Sequence, residues 1–145
     1  MKKIIIILML TMLFACSILI KPKEFTLTDH FDTGILYTYT NRPINETSIA
    51  LVDVYMSASS QGAEKSDIVG ESLYFDNLEV GSAIQKLKAK VKFSEYLDAQ
   101  HLTIIYAYST LIPTYKTIKN TKVNLQISTC SEYSVIGWPL IYGSF

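Results

Sequence analysis

The side chains of this sequence that could do acid–base or metal chemistry are few, and one short segment holds several of them. His30 lies between two carboxylates in the run Asp29-His30-Phe31-Asp32. An imidazole flanked by carboxylates has the composition of a small metal or proton-transfer cluster. Neighbours on a strand point to opposite faces, however, and a turn is expected here, so a solvated polar turn is the simpler interpretation. The sequence therefore predicts no metal and no cofactor.

A cysteine nucleophile is the second chemical possibility. Cys130, His101 and Asp98 supply the residue types of a thiol hydrolase, but no catalytic motif surrounds them. The sequence also lacks a Gly-x-Ser-x-Gly turn, a P-loop, a dinucleotide fingerprint, an HExxH motif and an EF-hand loop. A buried, inert thiol is the simpler interpretation of Cys130. We therefore predict a protein that is not an enzyme, and keep a small envelope hydrolase using Cys130 or His101 as the alternative.

Charge is unevenly distributed along the chain. Acidic residues dominate residues 24–79, whereas lysines dominate residues 83–122, and four of these lie close together: Lys86, Lys88, Lys90 and Lys92. On a domain tethered to a membrane, such a surface could contact anionic lipid or wall polymer, at about 1 kcal/mol per well-placed lysine. A solvated helix face, or pairing with the acidic strands inside the fold, are the alternatives. The formal net charge is zero and Arg42 is the one arginine, which disfavours nucleic-acid binding.

Residues 1–20 have the pattern of an export signal or a membrane anchor. Lys2 and Lys3 precede 17 uncharged, mainly apolar residues from Ile4 to Ile20. Three outcomes remain open: a lipoprotein signal processed and lipidated at Cys16, within Leu13-Phe14-Ala15-Cys16, an uncleaved anchor, or cleavage after Ser17. The two lysines favour a cytoplasmic N-terminus. The sequence therefore predicts an extracytoplasmic domain that is membrane-anchored or, alternatively, secreted.

After a short linker of residues 21–23, the chain reads as one α+β domain over residues 24–145. Apolar, β-branched and aromatic runs between polar turns indicate strands. They span residues 25–29, 35–40, 48–57, 68–75, 102–110, 122–129 and 132–136. Residues 94–100 read as irregular, and no internal repeat is visible.

One amphipathic helix is predicted over residues 78–91. Val80, Ile84, Leu87 and Val91 follow one another at spacings of four, three and four, which gives one apolar stripe. Asn77 is the preferred N-cap residue. A single amphipathic helix needs an apolar surface to cover, and an antiparallel sheet provides one. The predicted architecture is therefore a mainly antiparallel sheet with one covering helix.

The C-terminal part carries a family resemblance. Its matching residues lie in the predicted strands and their links: Ala107-Tyr108-Ser109, Ile112, Ile118, Lys122-Val123-Asn124-Leu125, Tyr133, Gly137, Pro139 and Ile141. With the upstream helix, this order resembles the YwmB family, exported proteins of spore-forming Gram-positive bacteria with a TATA-box-binding-like fold. The resemblance is best over residues 73–141.

The resemblance implies an exported, non-enzymatic protein of unknown biochemical role. The family is longer and has two structural halves, each with a helix, whereas no helix is predicted between Tyr55 and Asp67 in this sequence. The name of the fold does not imply DNA binding, because fold does not carry function and this domain is predicted to be exported.

Tyrosines are frequent in the C-terminal part, at positions 106, 108, 115, 133 and 142. They could line a carbohydrate or partner surface, but Tyr106 and Tyr108 share one face of their strand, so packing under the helix is the simpler interpretation. The sequence as a whole predicts a small binding or interaction module at the bacterial cell envelope. Its predicted partners are the membrane, through the N-terminal segment, and an anionic lipid, a wall polymer or an envelope protein.

Overall fold

In a computed structural model of the chain, residues 24–51 and 53–142 are described. The longer strands are β1 (Ile35–Thr40), β4 (Ile68–Phe75), β5 (Ala89–Leu97), β6 (Leu102–Ser109), β9 (Leu125–Thr129) and β10 (Ser134–Trp138). The shorter ones are β2 (Ile49–Ala50), β3 (Tyr55–Ser57), β7 (Lys116–Ile118) and β8 (Thr121–Val123). The helix α1 spans Val80–Lys86, and 3-10 turns span Leu27–Asp29, Lys65–Asp67 and Asp98–Gln100.

Eight of these strands form one antiparallel sheet in the order β2-β3-β1-β4-β10-β9-β6-β5, and β7 and β8 form a separate hairpin. The last strand, β10, lies in the middle of the sheet between β4 and β9. The N-terminal half of the sheet therefore meets the C-terminal half only when the end of the chain is in place. The predicted α+β class with a large antiparallel sheet and one helix is confirmed for the described residues.

One face of the sheet carries the hydrophobic core. The register pairs Ile136 with both Leu73 and Ile127, and all three side chains are fully buried. The helix covers this face with Ala83, and Leu87, the residue directly after the helix, is also buried there. Burying a leucine side chain contributes roughly 1.5–3 kcal/mol, so Leu87 anchors the end of the helix to the sheet.

The helix is shorter than the sequence predicts. It ends at Lys86 instead of residue 91, because Lys88 adopts a left-handed backbone with a φ of 48° and the chain then enters β5. Its N-cap is Glu79 rather than Asn77: the Glu79 carboxylate accepts hydrogen bonds from the Gly81 and Ser82 amides. The prediction of a helix over residues 78–91 is therefore wrong at its C-terminal end, where strand pairing with β6 overrides the helical pattern.

Other predicted elements also change. Residues 25–29 alternate apolar and polar side chains and are predicted to form a strand. The Leu27 amide donates to the Glu71 carboxylate and not to a neighbouring strand, and a 3-10 turn forms at Leu27–Asp29. The predicted strand 48–57 divides into β2 and β3, which pair with each other. Residues 94–97, expected to be irregular, belong to β5.

The chain end folds back over the opposite face of the sheet. Beyond β10, the Ile141 amide donates to the Gln126 side-chain oxygen at 2.9 Å. A Cβ on Gly137 would lie 2.6 Å from Ile141 Cγ1, so glycine permits this close approach. The Tyr39 hydroxyl also hydrogen-bonds to the Ser72 hydroxyl at 2.5 Å and donates to the Tyr142 carbonyl oxygen at 3.1 Å.

A buried asparagine holds the crossing from β6 to β9. The Asn124 side chain accepts from the Ser109 amide at 2.7 Å and donates to the carbonyl oxygens of Ser109 and Ile112 at 2.8 and 3.1 Å. Asn124 has no solvent exposure. These backbone groups have no access to water, so they depend on this one side chain.

Replacing Asn124 with alanine is expected to lower the free energy of unfolding by at least about 2 kcal/mol, because buried backbone groups lose their partners. Chemical denaturation measures this change. The matched control is Asn77→Ala, since Asn77 is exposed and a change there is expected to stay within about 0.5 kcal/mol. Equal losses in the two variants would contradict this role of Asn124.

Candidate functional site

The first described residues lie at one end of the sheet. Glu71 of β4 pairs with Trp138 of β10, and its side chain also binds Thr26 and Leu27. The register places the start of β5, where Lys90 pairs with Tyr108, at the same end. We call this the linker end, because the described chain begins here after residues 21–23. The opposite end, which we call the far end, holds the turn that joins β9 to β10.

A cleft of about 660 Å³ opens at the linker end. Much of its lining is apolar or aromatic and comes from three parts of the chain: Phe25, Ile68, Val69, Trp138, Pro139 and Tyr142. Glu24, Thr26, Glu71 and Lys116 are among its polar residues. A volume of this size, apolar walls and a few polar groups are the usual properties of a ligand site. Tyr115, of which 49% is exposed, stands at the rim.

The Glu71 carboxylate lies at the floor of the cleft and is only 3% exposed. One of its oxygens accepts from the Thr26 hydroxyl at 2.9 Å. The other accepts from the Leu27 amide at 2.8 Å and from the Trp138 indole N–H at 2.9 Å. All three donors are neutral, and no lysine or arginine pairs with this carboxylate among the residues that the structure describes.

The predicted lysine surface is placed differently from the prediction. Only Lys86 lies on the helix, Lys88 occupies the left-handed turn, and Lys90 and Lys92 lie on the edge strand β5. All four side chains are exposed. Lys88, Lys90 and Lys92 therefore follow the edge of the sheet at its linker end, whereas the Lys86 ammonium lies 5.5 Å from the centre of the Phe31 ring. Contact of these lysines with an anionic surface stays a prediction.

These lysines also have a structural role at the edge. An edge strand presents unpaired backbone groups, and charged side chains or a bulge protect it from pairing with another chain. The register of β5 against β6 shifts between Val91 and Phe93, which places a bulge at Lys92. The Lys92 ammonium lies 5.7 Å from the centre of the Tyr108 ring, within the range of a cation–π contact.

The residues of the alternative hydrolase prediction lie toward the far end. Cys130 follows β9 and His101 precedes β6, strands that pair there through Thr103 and Thr129. Their side chains have other partners, however: His101 Nδ1 lies 3.1 Å from the Tyr96 hydroxyl, and the Cys130 thiol donates to the Tyr133 carbonyl oxygen at 3.6 Å. Neither of these contacts joins Cys130 to His101.

The histidine segment near the N-terminus forms part of the packing beside the cleft. The His30 ring stacks on Phe25, with ring centroids 5.3 Å apart. Within residues 24–51 and 53–142, no group of three or more histidine, cysteine or acidic side chains is placed to hold a metal ion.

The C-terminal tyrosines divide between packing and the cleft. Tyr106 stacks on Phe93 with centroids 4.5 Å apart, and its hydroxyl donates to Glu95 at 3.4 Å. Glu95 also forms an ion pair with Lys119, and the hydrogen bond from this lysine holds the pKa of the Glu95 carboxyl below its usual value. Tyr115 and Tyr142, in contrast, line the cleft. Only part of the predicted aromatic surface is therefore available to a ligand.

The sequence reasoning missed the residues that form the cleft floor. Glu71 is the one charged residue in the otherwise uncharged strand Ile68–Phe75, and Trp138 is the single tryptophan of the chain. A carboxylate inside an apolar strand is a signal that could have identified the site, because such a group is rarely buried without a partner.

The predictions about residues 1–20, including lipidation of Cys16, lie outside the described residues. Within the part of the chain that is described, no helix is long and apolar enough to cross a membrane. Comparison with protein-family models, with curated proteins and with solved structures gives no match.

The burial of Tyr39 beneath the chain end predicts that stability depends on pH. Burial raises the pKa of the Tyr39 hydroxyl to about 12, and this hydroxyl holds the Tyr142 carbonyl. The neutral phenol is favoured in the folded state, so this stabilisation is complete below the unfolded pKa near 10 and is lost as the pH rises toward 12. Chemical denaturation at pH 8, 10 and 11 should show falling stability, with a smaller fall in Tyr39→Phe. Equal falls in both proteins would contradict the assignment to Tyr39.

Proposed function

We propose that this protein is an exported, membrane-tethered binding module of the bacterial cell envelope, and that it is not an enzyme. The observation that carries this proposal is the position of three features at one end of the sheet. The residue that follows the linker, the open cleft and the lysines of the β5 edge all lie at the linker end.

The short linker bears on function because it limits how far the linker end of the sheet can lie from the membrane. Residues 21–23 separate the apolar run that ends at Ile20 from Glu24. With the apolar run retained in the membrane, three extended residues span at most about 11 Å, so the tether holds the linker end close to the membrane surface. With lipidation at Cys16, residues 17–23 form the tether and span at most about 25 Å. Charges within about 8–10 Å of an anionic surface are attracted to it at physiological ionic strength. Lys88, Lys90 and Lys92 would then contact anionic head groups or wall polymer while the cleft opens beside them.

The finer fold assignment is also a proposal. The likeness to a TATA-box-binding-like fold of the YwmB kind is supported by the antiparallel strands β5, β6, β9 and β10 that follow the helix α1. The N-terminal half contributes short strands and a 3-10 turn at Lys65–Asp67, with no α-helix among its described residues. On this proposal, the second half retains the family's architecture and the first half is reduced.

Vesicle binding tests the contribution of the lysines. We expect a chain beginning at residue 21 to bind vesicles containing phosphatidylglycerol more tightly than vesicles of phosphatidylcholine alone. Replacing Lys88, Lys90 and Lys92 with glutamine should weaken this binding roughly 100-fold, because each lysine contributes about 1 kcal/mol near the surface. Co-sedimentation measures the partition coefficient.

The control has the same net charge but changes the far end. Its substitutions are Thr33→Glu, Ala99→Glu and Ser131→Glu, all at exposed positions. Because these positions lie away from the linker end, binding should fall much less than in the lysine variant. If both variants lose affinity equally, only overall charge matters and the proposed orientation is wrong.

A further inference from the structure

The negative charge of the carboxylate at the cleft floor is the feature that the hydrogen bonds of the fold do not explain. Glu71 is 3% exposed and has neutral hydrogen-bond donors only. Glutamate is rarely buried to this extent unless a cation pairs with it, since removing a charge from water is costly. Lys116 lines the same cleft, but it is exposed and does not pair with Glu71.

A glutamine at this position could make the same hydrogen bonds. Its amide oxygen could replace the carboxylate oxygen that accepts from Leu27 and Trp138. Its NH₂ group could donate to the Thr26 hydroxyl, which can in turn donate to the Thr28 hydroxyl 3.0 Å away. The hydrogen bonds therefore need an acceptor but do not need a negative charge. The charge remains to be explained by something that enters the cleft.

The walls of the cleft are suited to a cation with an apolar body. Phe25 and Trp138 line the cleft with Glu71 and meet edge to face, with centroids 5.6 Å apart. Tyr115 lies exposed at the rim, and its ring already attracts one ammonium group, that of Lys122, 4.4 Å from the ring centre. Aromatic rings attract ammonium groups through their negative faces, and this attraction is strongest where water is excluded. Ile68, Val69 and Pro139 offer apolar contacts beside them.

From this charge complementarity we propose that the cleft binds the ammonium head group of a membrane amphiphile, with Glu71 as the counter-ion. The inference rests on the proposed function, because the linker end must lie near the membrane for a lipid to reach the cleft. The apolar chain of the amphiphile lies along Ile68, Val69 and Pro139, and its ammonium group reaches the aromatic floor.

Fluorescence of the single tryptophan reports directly on this site. The full chain, held in uncharged maltoside micelles, is titrated with hexyltrimethylammonium, tetramethylammonium and hexyl sulfate. We expect a saturable change in Trp138 emission with hexyltrimethylammonium, an affinity at least tenfold lower for tetramethylammonium, and no saturable change with hexyl sulfate. Equal affinity for the sulfate, or no saturable change with any probe, would overturn the proposal.

The Glu71→Gln variant separates charge from structure. It should unfold at the same denaturant concentration as the wild type or at a higher one, and its affinity for hexyltrimethylammonium should fall at least tenfold. Glu132→Gln, which removes an exposed carboxylate beside the far-end turn, should bind like the wild type. Undiminished binding by Glu71→Gln would show that Glu71 is not the counter-ion.

A second variant covers the case in which Glu71→Gln folds poorly. Tyr115 is exposed, so Tyr115→Ser should keep the fold and lower the affinity for hexyltrimethylammonium severalfold; unchanged affinity would remove the aromatic rim from the site. These titrations in micelles are independent of the lysine edge. If the protein shows no preference for anionic vesicles but still binds hexyltrimethylammonium, only the proposed orientation is wrong. If it prefers anionic vesicles but binds none of the ammonium probes, only the proposed ligand is wrong.

Discussion

The hydrogen bonds of Glu71 connect parts of the chain that are far apart in sequence. This one carboxylate binds the segment that follows the linker, through Thr26 and Leu27, and the last strand of the sheet, through Trp138. The same contacts form the floor of the cleft and fix where the described chain begins on the domain. The start of the described chain, the centre of the sheet and the candidate ligand site therefore depend on a single buried side chain.

The order of the strands explains why these contacts come together at the centre of the sheet. β10 pairs with β4 on one side and β9 on the other, so the final strand joins the two halves. Beyond it, the chain folds back and places Pro139 and Tyr142 at the cleft. The site is thus assembled from the two ends of the described chain on a rigid central sheet, while the lysines occupy an outer edge that cannot extend easily by strand pairing.

Much of the architecture follows from local pattern, and the failures have physical causes. The alternation of apolar and polar residues identified β1, β4 and β6 because each is long and bounded by turn residues. The helix was extended too far because Val91 fits both a helical stripe and a strand, and only pairing with β6 decides between them. The segment from Phe25 to Asp29 has the pattern of a strand, but a tertiary hydrogen bond to Glu71 determines its conformation.

The cleft could not be predicted in the same way. Its residues are separated by up to about the length of the chain, and no motif links Phe25, Glu71 and Trp138 in sequence. All four lysines are exposed, but the predicted helix face does not form, because the left-handed turn at Lys88 places Lys90 and Lys92 on an edge strand. The cleft and the position of the lysines both depend on how distant strands pair, which the local sequence does not encode.

The orientation of the domain on the membrane is the central claim, and energy transfer to labelled lipids tests it most directly. In membrane-bound full chains that keep Cys16, the predicted lipidation site, and carry Cys130→Ser, a donor dye is attached at Thr114→Cys beside the cleft or at Ser131→Cys at the far end. The strands between these ends span roughly 20 Å. The account predicts clearly stronger transfer to an acceptor lipid from position 114 than from position 131. Equal transfer, or stronger transfer from position 131, would contradict it.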